Sequence, residues 1–157
     1  MAKLCLCMIV KNESKIIKTC LNSIVDYLDY WVICDTGSTD GTQDIIISFF
    51  KEKDIPGELH EDKWENFGYN RSLYLKYAKN KSDFLIILDA DFIVNIKDKN
   101  FKNKLTDTNE NYGYLIKHDG NNCYWQMFLV SGNISWKYVG VTHEYIITDE
   151  NYKEEKF

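Results

Sequence analysis

Phe84-Leu85-Ile86-Ile87-Leu88, followed at once by Asp89-Ala90-Asp91, is the stretch that decides the fold. Five unbroken apolar residues have the length of a buried strand, and the acids end it sharply. Upstream, Leu4–Val10 is a second apolar run of strand length, closed by Lys11-Asn12-Glu13-Ser14. Ile16, Ile17, Cys20, Leu21, Ile24, Val25 and Leu28 then recur at helical spacing, with Ser14 or Asn12 placed to cap the helix. Trp31-Val32-Ile33-Cys34 is a strand that stops at Asp35-Thr36-Gly37-Ser38-Thr39-Asp40-Gly41. Asp40 and Gln43 fit a capping box for a helix over residues 42–53, which Pro56 and Gly57 break. A short strand at 58–61 and a helix over Phe67–Ala78, with Tyr69, Leu73 and Tyr77 on one face, complete the approach to residue 84. The order β-α-β-α-β-α-β predicts a mainly parallel sheet with helices on both faces.

After Lys104 the texture changes. Residues 112–118, 123–130, 134–139 and 143–147 are strand-like and separated by Gly and Asn turns, so this part should be antiparallel or mixed sheet. The aromatic residues Tyr112, Tyr114, Tyr124, Trp125, Trp136 and Tyr138 have the spacing of core and sheet-face positions. The expected organisation is one domain over 1–150 and a charged tail over 151–157 with little to pack.

Composition narrows the function. With 45% hydrophobic and 27% charged residues, the 157-residue chain is globular rather than disordered. No apolar run reaches membrane-spanning length, and the N-terminal run lacks a cleavage site for a signal peptide. A net charge of −5, with Arg71 the single arginine, argues against a nucleic-acid partner. Five cysteines without a C-x-x-C pair fit reduced thiols in a cytoplasmic protein.

Ligands of open parallel sheets bind beyond the carboxyl ends of the strands. Three such ends here carry acids: Lys11-Asn12-Glu13, the Asp35 turn, and Asp89-Ala90-Asp91. Two carboxylates flanking a small residue can present oxygens to a hard divalent cation, although the same tripeptide also serves as a plain strand-ending turn. The Gly37 segment has neither the lysine of a P-loop nor a G-x-G-x-x-G pattern, while Asp35 can accept a hydrogen bond from a ligand N–H.

Together, Met8-Ile9-Val10-Lys11-Asn12-Glu13, Cys34-Asp35-Thr36-Gly37-Ser38-Thr39-Asp40-Gly41-Thr42, Asn66-Phe67-Gly68-Tyr69-Asn70-Arg71-Ser72, Leu88-Asp89-Ala90-Asp91 and Val141-Thr142-His143-Glu144 resemble the family 2 glycosyltransferases of GT-A fold. The late His-Glu pair resembles the subgroup of lipopolysaccharide-core and peptide-modifying sugar transferases. The resemblance implies a Rossmann-like three-layer α/β sandwich, a nucleotide-diphospho-sugar donor (UDP-hexose as the default), Mn²⁺ or Mg²⁺, and inverting transfer. It implies that Val10, Lys11, Asn12 and Glu13 line the nucleoside pocket and that Asp35, beside Gly37, reads the base. Asp89 and Ala90 would face the ribose or the metal's water shell, Asp91 would ligate the metal, and Arg71 would lie by the nucleotide. The general base should come from the later half. Of Asp107, Glu110, Asp119, Glu144, Asp149 and Glu150, Glu144 is the first choice and Asp119 the second, with His143 a further metal or phosphate ligand.

Three departures stand out. Phe92 replaces an acid after Asp91, Gln126-Met127-Phe128 replaces a late arginine, and the sequence stops soon after Glu144. The acceptor (a glycan, a lipid-linked sugar or a protein) is therefore open, and a homodimer or a neighbouring domain is expected to cover that side. Two alternatives use the same residues: a non-catalytic nucleotide-sugar-binding module or one domain of a larger transferase, and a haloacid-dehalogenase-type phosphatase built on Asp89-Ala90-Asp91.

Overall fold

A computed structural model describes residues 1–105, 110–119, 123–140 and 143–157. The first part is the expected alternation: β1 (Leu4–Val10), α1 (Ile17–Ile24), β2 (Tyr30–Asp35), α2 (Thr42–Glu52), β3 (Gly57–Glu61), α3 (Phe67–Ala78) and β4 (Phe84–Ile87). There follow α4 (Phe101–Lys104), β5 (Tyr112–His118), β6 (Tyr124–Ser131), β7 (Lys137–Val139), β8 (Tyr145–Ile147) and β9 (Lys153–Lys156). Seven strands make one sheet in the order β3-β2-β1-β4-β6-β5-β9, and β7 with β8 forms a separate antiparallel pair. β3, β2, β1 and β4 are mutually parallel, and β6 runs against both β4 and β5. The fold is α/β with a mainly parallel sheet and antiparallel strands after it.

Alternation along the strands builds two cores. Leu4, Leu6, Met8 and Val10 face the α1 and α2 side with Ile17, Leu21, Ile46 and Phe50. Cys5, Cys7, Val32 and Cys34 face the other side, with Tyr74, Leu75 and Ala78 of α3 and Trp136 and Tyr138 of the hairpin segment. Helices thus cover both faces. The thiols of Cys5, Cys7, Cys20 and Cys34 are buried and free, and Cys123 is exposed. Among the described residues, no helix is long and apolar enough to cross a membrane.

Four local expectations need correction. Neither Asn12 nor Ser14 caps α1: the helix starts after Ile16 without a side-chain cap, and the Glu13 carbonyl accepts from the Ile16 and Ile17 N–H groups. α2 has left-handed Gly41 as its N-cap, and Asp40 accepts from the Thr42 N–H and hydroxyl instead of forming a box with Gln43. α3 has the expected bounds but a different inner face. It is packed between the sheet and the β7 segment, so Asn70, Tyr74 and Ala78, four apart, point inward while Tyr69 is exposed. The tail does pack: β9 pairs parallel with β5, and the Phe157 ring lies against Tyr114 and Phe101. Of the six aromatic residues expected at the core or on a sheet face, Tyr112, Tyr114, Trp136 and Tyr138 are buried. Tyr124 and Trp125 are exposed at the start of β6, under His118 and Lys156 respectively.

Candidate functional site

Parallel pairing brings the carboxyl ends of β1, β2 and β4 to one rim of the sheet, and the loops there are laced together. The Asn12 N–H donates to Ser38 Oγ at 2.8 Å, and Asn12 Oδ1 accepts from the Thr39 N–H at 2.8 Å. The Glu13 N–H donates to Thr42 Oγ1 at 2.8 Å, and the Ser14 N–H to Asp40 Oδ2 at 3.0 Å. Asn12 takes the left-handed conformation this requires, a region Asn tolerates better than most residues. Val10 is buried, and its carbonyl accepts from both the N–H and the hydroxyl of Thr36, while Lys11 is exposed.

Asp35 is 1% exposed. Its Oδ1 accepts from the N–H groups of Gly37 and Ser38, both at 2.8 Å, so this oxygen holds the turn. Gly37, at φ +104°, has the left-handed backbone that glycine adopts freely. Oδ2 is buried without a hydrogen-bond partner. Burial raises the carboxyl's pKa, but the hydrogen bonds from Ser38, Gly37 and Gln43 outweigh it and hold it below its usual range. One oxygen of Asp35 therefore serves the fold and the other remains open to a donor.

The Asp89-Ala90-Asp91-Phe92 segment is a turn closed by the Phe92 N–H on the Asp89 carbonyl at 3.1 Å. Ala90 packs into the core, which explains the small residue between two outward acids. Phe92 wedges its ring against His118 and Phe128, each 5.5 Å away between centroids, and anchors the turn. Asp89 and Asp91 make their surroundings acidic. Burial raises the Glu13 carboxyl's pKa, and the charges of Asp91, Asp40 and Asp89 raise it further. Burial and the same pair push the Cys20 thiol up to about 12. This excess of negative charge suits a divalent cation. Among the described residues no group of three acids, histidines or cysteines stands close enough to hold one, so the ion would complete its shell with ligand oxygens and water.

Arg71, for which the resemblance implies a place by the nucleotide, lies inside the rim, its side chain 13% exposed. Nη2 donates to Asp89 Oδ1 at 2.7 Å and to Oδ2 at 2.9 Å. Nε stands 3.1 Å from Glu144 Oε1, an ion-pair contact short of hydrogen-bond geometry. The rings of Phe67 and Tyr138 flank the guanidinium at 5.9 and 5.7 Å. Burial disfavours the charge, but the Tyr74 oxygen and Asp89 outweigh it and keep Arg71 cationic.

Glu144 reaches this point because the hairpin docks on α3. The Tyr138 N–H donates to Ser72 Oγ at 2.9 Å, and Gly68 lies so close to the Gly140 carbonyl that an added Cβ would meet that oxygen at 2.4 Å. Gly140 at φ +103° and His143 at φ +59° turn the backbone there, and His143 is exposed. Asp119 also lies at this end of the sheet, in the β5–β6 connection, but exposed and paired with Lys117 at 3.3 Å. Asp107, Val141 and Thr142 fall outside the described residues. Two concavities of about 290 and 440 Å³ open at the other end of the sheet, around Lys3 and Lys81.

Asn70, within the Asn66–Ser72 stretch, has a structural role that the motif does not announce. Fully buried, it accepts from the Glu65 N–H at 2.9 Å and donates to the Lys63 carbonyl at 3.1 Å. It thereby clamps the loop between β3 and α3, whose Asp62 N–H donates to the Asp35 carbonyl. A polar residue at an inward helical position is the signal that marks such a clamp.

The family model described as "Glycosyl transferase family 2" matches residues 5–125. The SPbeta prophage-derived glycosyltransferase SunS of Bacillus subtilis (strain 168) is 41% identical over 98 residues, which is 62% of this chain and 21% of the relative. The chain thus spans about a fifth of the length of the curated relatives it matches first. Among solved structures, S. aureus TarS 1–349 in complex with UDP-GlcNAc is 25% identical, with a TM-score of 0.60 over 76% of this chain and 35% of that one. The mannosyltransferase PcManGT from Pyrobaculum calidifontis, in complex with GDP-Man and Mn²⁺, shares the fold at 22% identity and a TM-score of 0.56, over 71% of this chain and 35% of that one.

Proposed function

This chain belongs to glycosyl transferase family 2, and from that premise we propose that it carries the donor site and the catalytic base of an inverting transferase that uses a UDP-hexose. The observation that carries the reading is the Arg71 junction. One guanidinium joins Asp89, on the donor side, to Glu144, from the late hairpin. Glu144 also serves as a counter-charge of the buried guanidinium, and its place beside the donor-side Asp89 supports the further role of base.

In this reading Asp35 Oδ2 accepts the imide N–H of uracil, a donor that cytosine lacks, and residues Val10 to Glu13 line the nucleoside. UDP is the nucleotide of choice in part because the TarS neighbour was solved with UDP-GlcNAc. Asp91 and Asp89 would hold Mn²⁺ or Mg²⁺, which when bound supplies positive charge to the departing diphosphate. Glu144 removes the acceptor hydroxyl proton as the acceptor oxygen bonds to the anomeric carbon. The bond from that carbon to the diphosphate oxygen breaks on the opposite side, and its electron pair leaves with the diphosphate. Both acids are ion-paired, but Glu144 suits this role better than Asp119 because it is largely buried at the rim beside α3 while Asp119 is exposed. The His143–Glu144 pair supports a place among the lipopolysaccharide-core and peptide-modifying transferases, with a glycan, a lipid-linked sugar or a protein as acceptor.

The test is hydrolysis of UDP-hexoses with Mn²⁺, followed by transfer once an acceptor is found. Glu144→Gln should lower turnover by about 10²–10⁴-fold, the contribution of a positioned base, with donor affinity near that of the unaltered protein. Full turnover in Glu144→Gln with loss in Asp119→Asn moves the base to Asp119. Donor binding without any turnover would leave a binding module.

A further inference from the structure

Asp89 is already ion-paired in this structure. A single nitrogen of Arg71 contacts both of its oxygens, at 2.7 and 2.9 Å. The guanidinium stands where an incoming cation would find Asp89, and its surroundings hold it there. Phe67 and Tyr138 wall its faces, Glu144 takes its Nε side, and Asn70 and Ser72 fix the helix on either side of residue 71. A cation that takes over Asp89 strips Arg71 of its best partner, and a buried guanidinium left unpaired is costly. A diphosphate supplies the replacement, because its oxygens accept the released N–H groups with matching charge and geometry.

We propose that Arg71 is a built-in counter-ion of Asp89 that couples the two halves of donor binding, opposing the divalent cation alone and favouring it once a diphosphate is present. This rests on the reading of the rim as a nucleotide-sugar site. The coupling is reciprocal: the factor by which UDP tightens the cation equals the factor by which the cation tightens UDP. Asp91 lies on the same turn, so a cation meets one acid that Arg71 covers and another two residues along.

The experiment is calorimetry on the whole chain with MnCl₂ alone, UDP alone, and UDP at saturating Mn²⁺. Arg71→Gln should bind Mn²⁺ alone about tenfold more tightly and UDP alone about tenfold more weakly, each the size of one charge-assisted hydrogen bond. The UDP–Mn²⁺ coupling factor should shrink accordingly. Opposite signs from one substitution are the signature, since a residue that merely supported the fold would lower both affinities together. Arg71→Lys keeps the charge as a single point that cannot reach both Asp89 oxygens and Glu144, so it should shift both affinities in the same senses by smaller factors. If Arg71→Gln fails to fold by near-ultraviolet circular dichroism, Arg71→Lys decides the matter by the same signs. Parallel losses, or no change, in the folded variant overturn the proposal while leaving the donor site standing. An unaltered chain that binds neither UDP nor Mn²⁺ with UDP removes the functional reading, and the coupling with it.

Discussion

Gly68→Ala sets two magnitudes against each other. In a helix, alanine is favoured over glycine by about 1 kcal/mol, so on propensity alone the substitution stabilises α3. The added methyl, however, would stand 2.4 Å from the Gly140 carbonyl oxygen. Carbon–oxygen contacts open to at least about 3.3 Å, so helix and hairpin must part by roughly 0.9 Å. The obstacle is backbone, which cannot swing aside as a side chain would, and overpacking of this kind costs about 1–3 kcal/mol. The separation also strains the Tyr138–Ser72 hydrogen bond, worth about 1 kcal/mol. The steric side wins, and Gly68→Ala should be less stable by about 1–2 kcal/mol in urea denaturation. The larger effect should be on rate. The hairpin carries Glu144, and a 0.9 Å retreat would stretch its 3.1 Å contact with Arg71 to about 4 Å. A misplacement near 1 Å costs about 10²-fold in turnover, while UDP affinity, which depends on the other side of the rim, should stay within about threefold. Donor hydrolysis with Mn²⁺ reads the rate. A variant that is about 1 kcal/mol more stable and turns over at full speed would refute the close docking of α3 on the hairpin and the positioning of Glu144 that rests on it.

Other expectations follow from single side chains. Asp35→Asn keeps Oδ1 for the Gly37 and Ser38 N–H groups but turns the open oxygen into a donor, so UDP binding should weaken by about 1–3 kcal/mol with the melting temperature little changed; equal affinity for UDP and CDP in the unaltered protein would contradict the role. Asn70→Ala strands the Glu65 N–H and the Lys63 carbonyl and should destabilise by about 2–4 kcal/mol in denaturant titration. The contacts of Lys81, Tyr30 and His60 push the Glu58 carboxyl down to about 2, below its model-compound value of 4.5. Its contribution is therefore complete above the unfolded value near 4.5 and fades as pH falls through about 2. Glu58→Gln should be less stable than the parent by about 0.5–1 kcal/mol at pH 7, with the difference closing toward pH 2 in paired urea melts.

The sequence by itself determined the elements whose signal is local. The apolar runs of β1, β2 and β4, the breaks at Asp35, Gly57 and Asp89, and the bounds of α3 all follow from residues near one another in the chain. The β-α alternation then leaves a mainly parallel sheet, and with it the rim where the acids meet. β9 was illegible because its four residues are all charged and exposed. It forms through backbone pairing with the open edge of β5 and the anchoring ring of Phe157, neither of which a hydrophobic pattern can announce. The inner face of α3 cannot be read from its own residues because two partners bury it, and the second, the β7 segment, comes some sixty residues later. Asp35 was legible as an acid at a strand end, but the division of labour between its two oxygens depends on the turn that Gly37 makes. The Arg71 junction lay furthest from view. An arginine on a helix carries no mark of its partners, and Asp89 and Glu144 reach it only when the end of β4 and the hairpin meet beside α3. Tertiary structure decided that junction because a buried charge must find its counter-charges in space, wherever the chain happens to supply them.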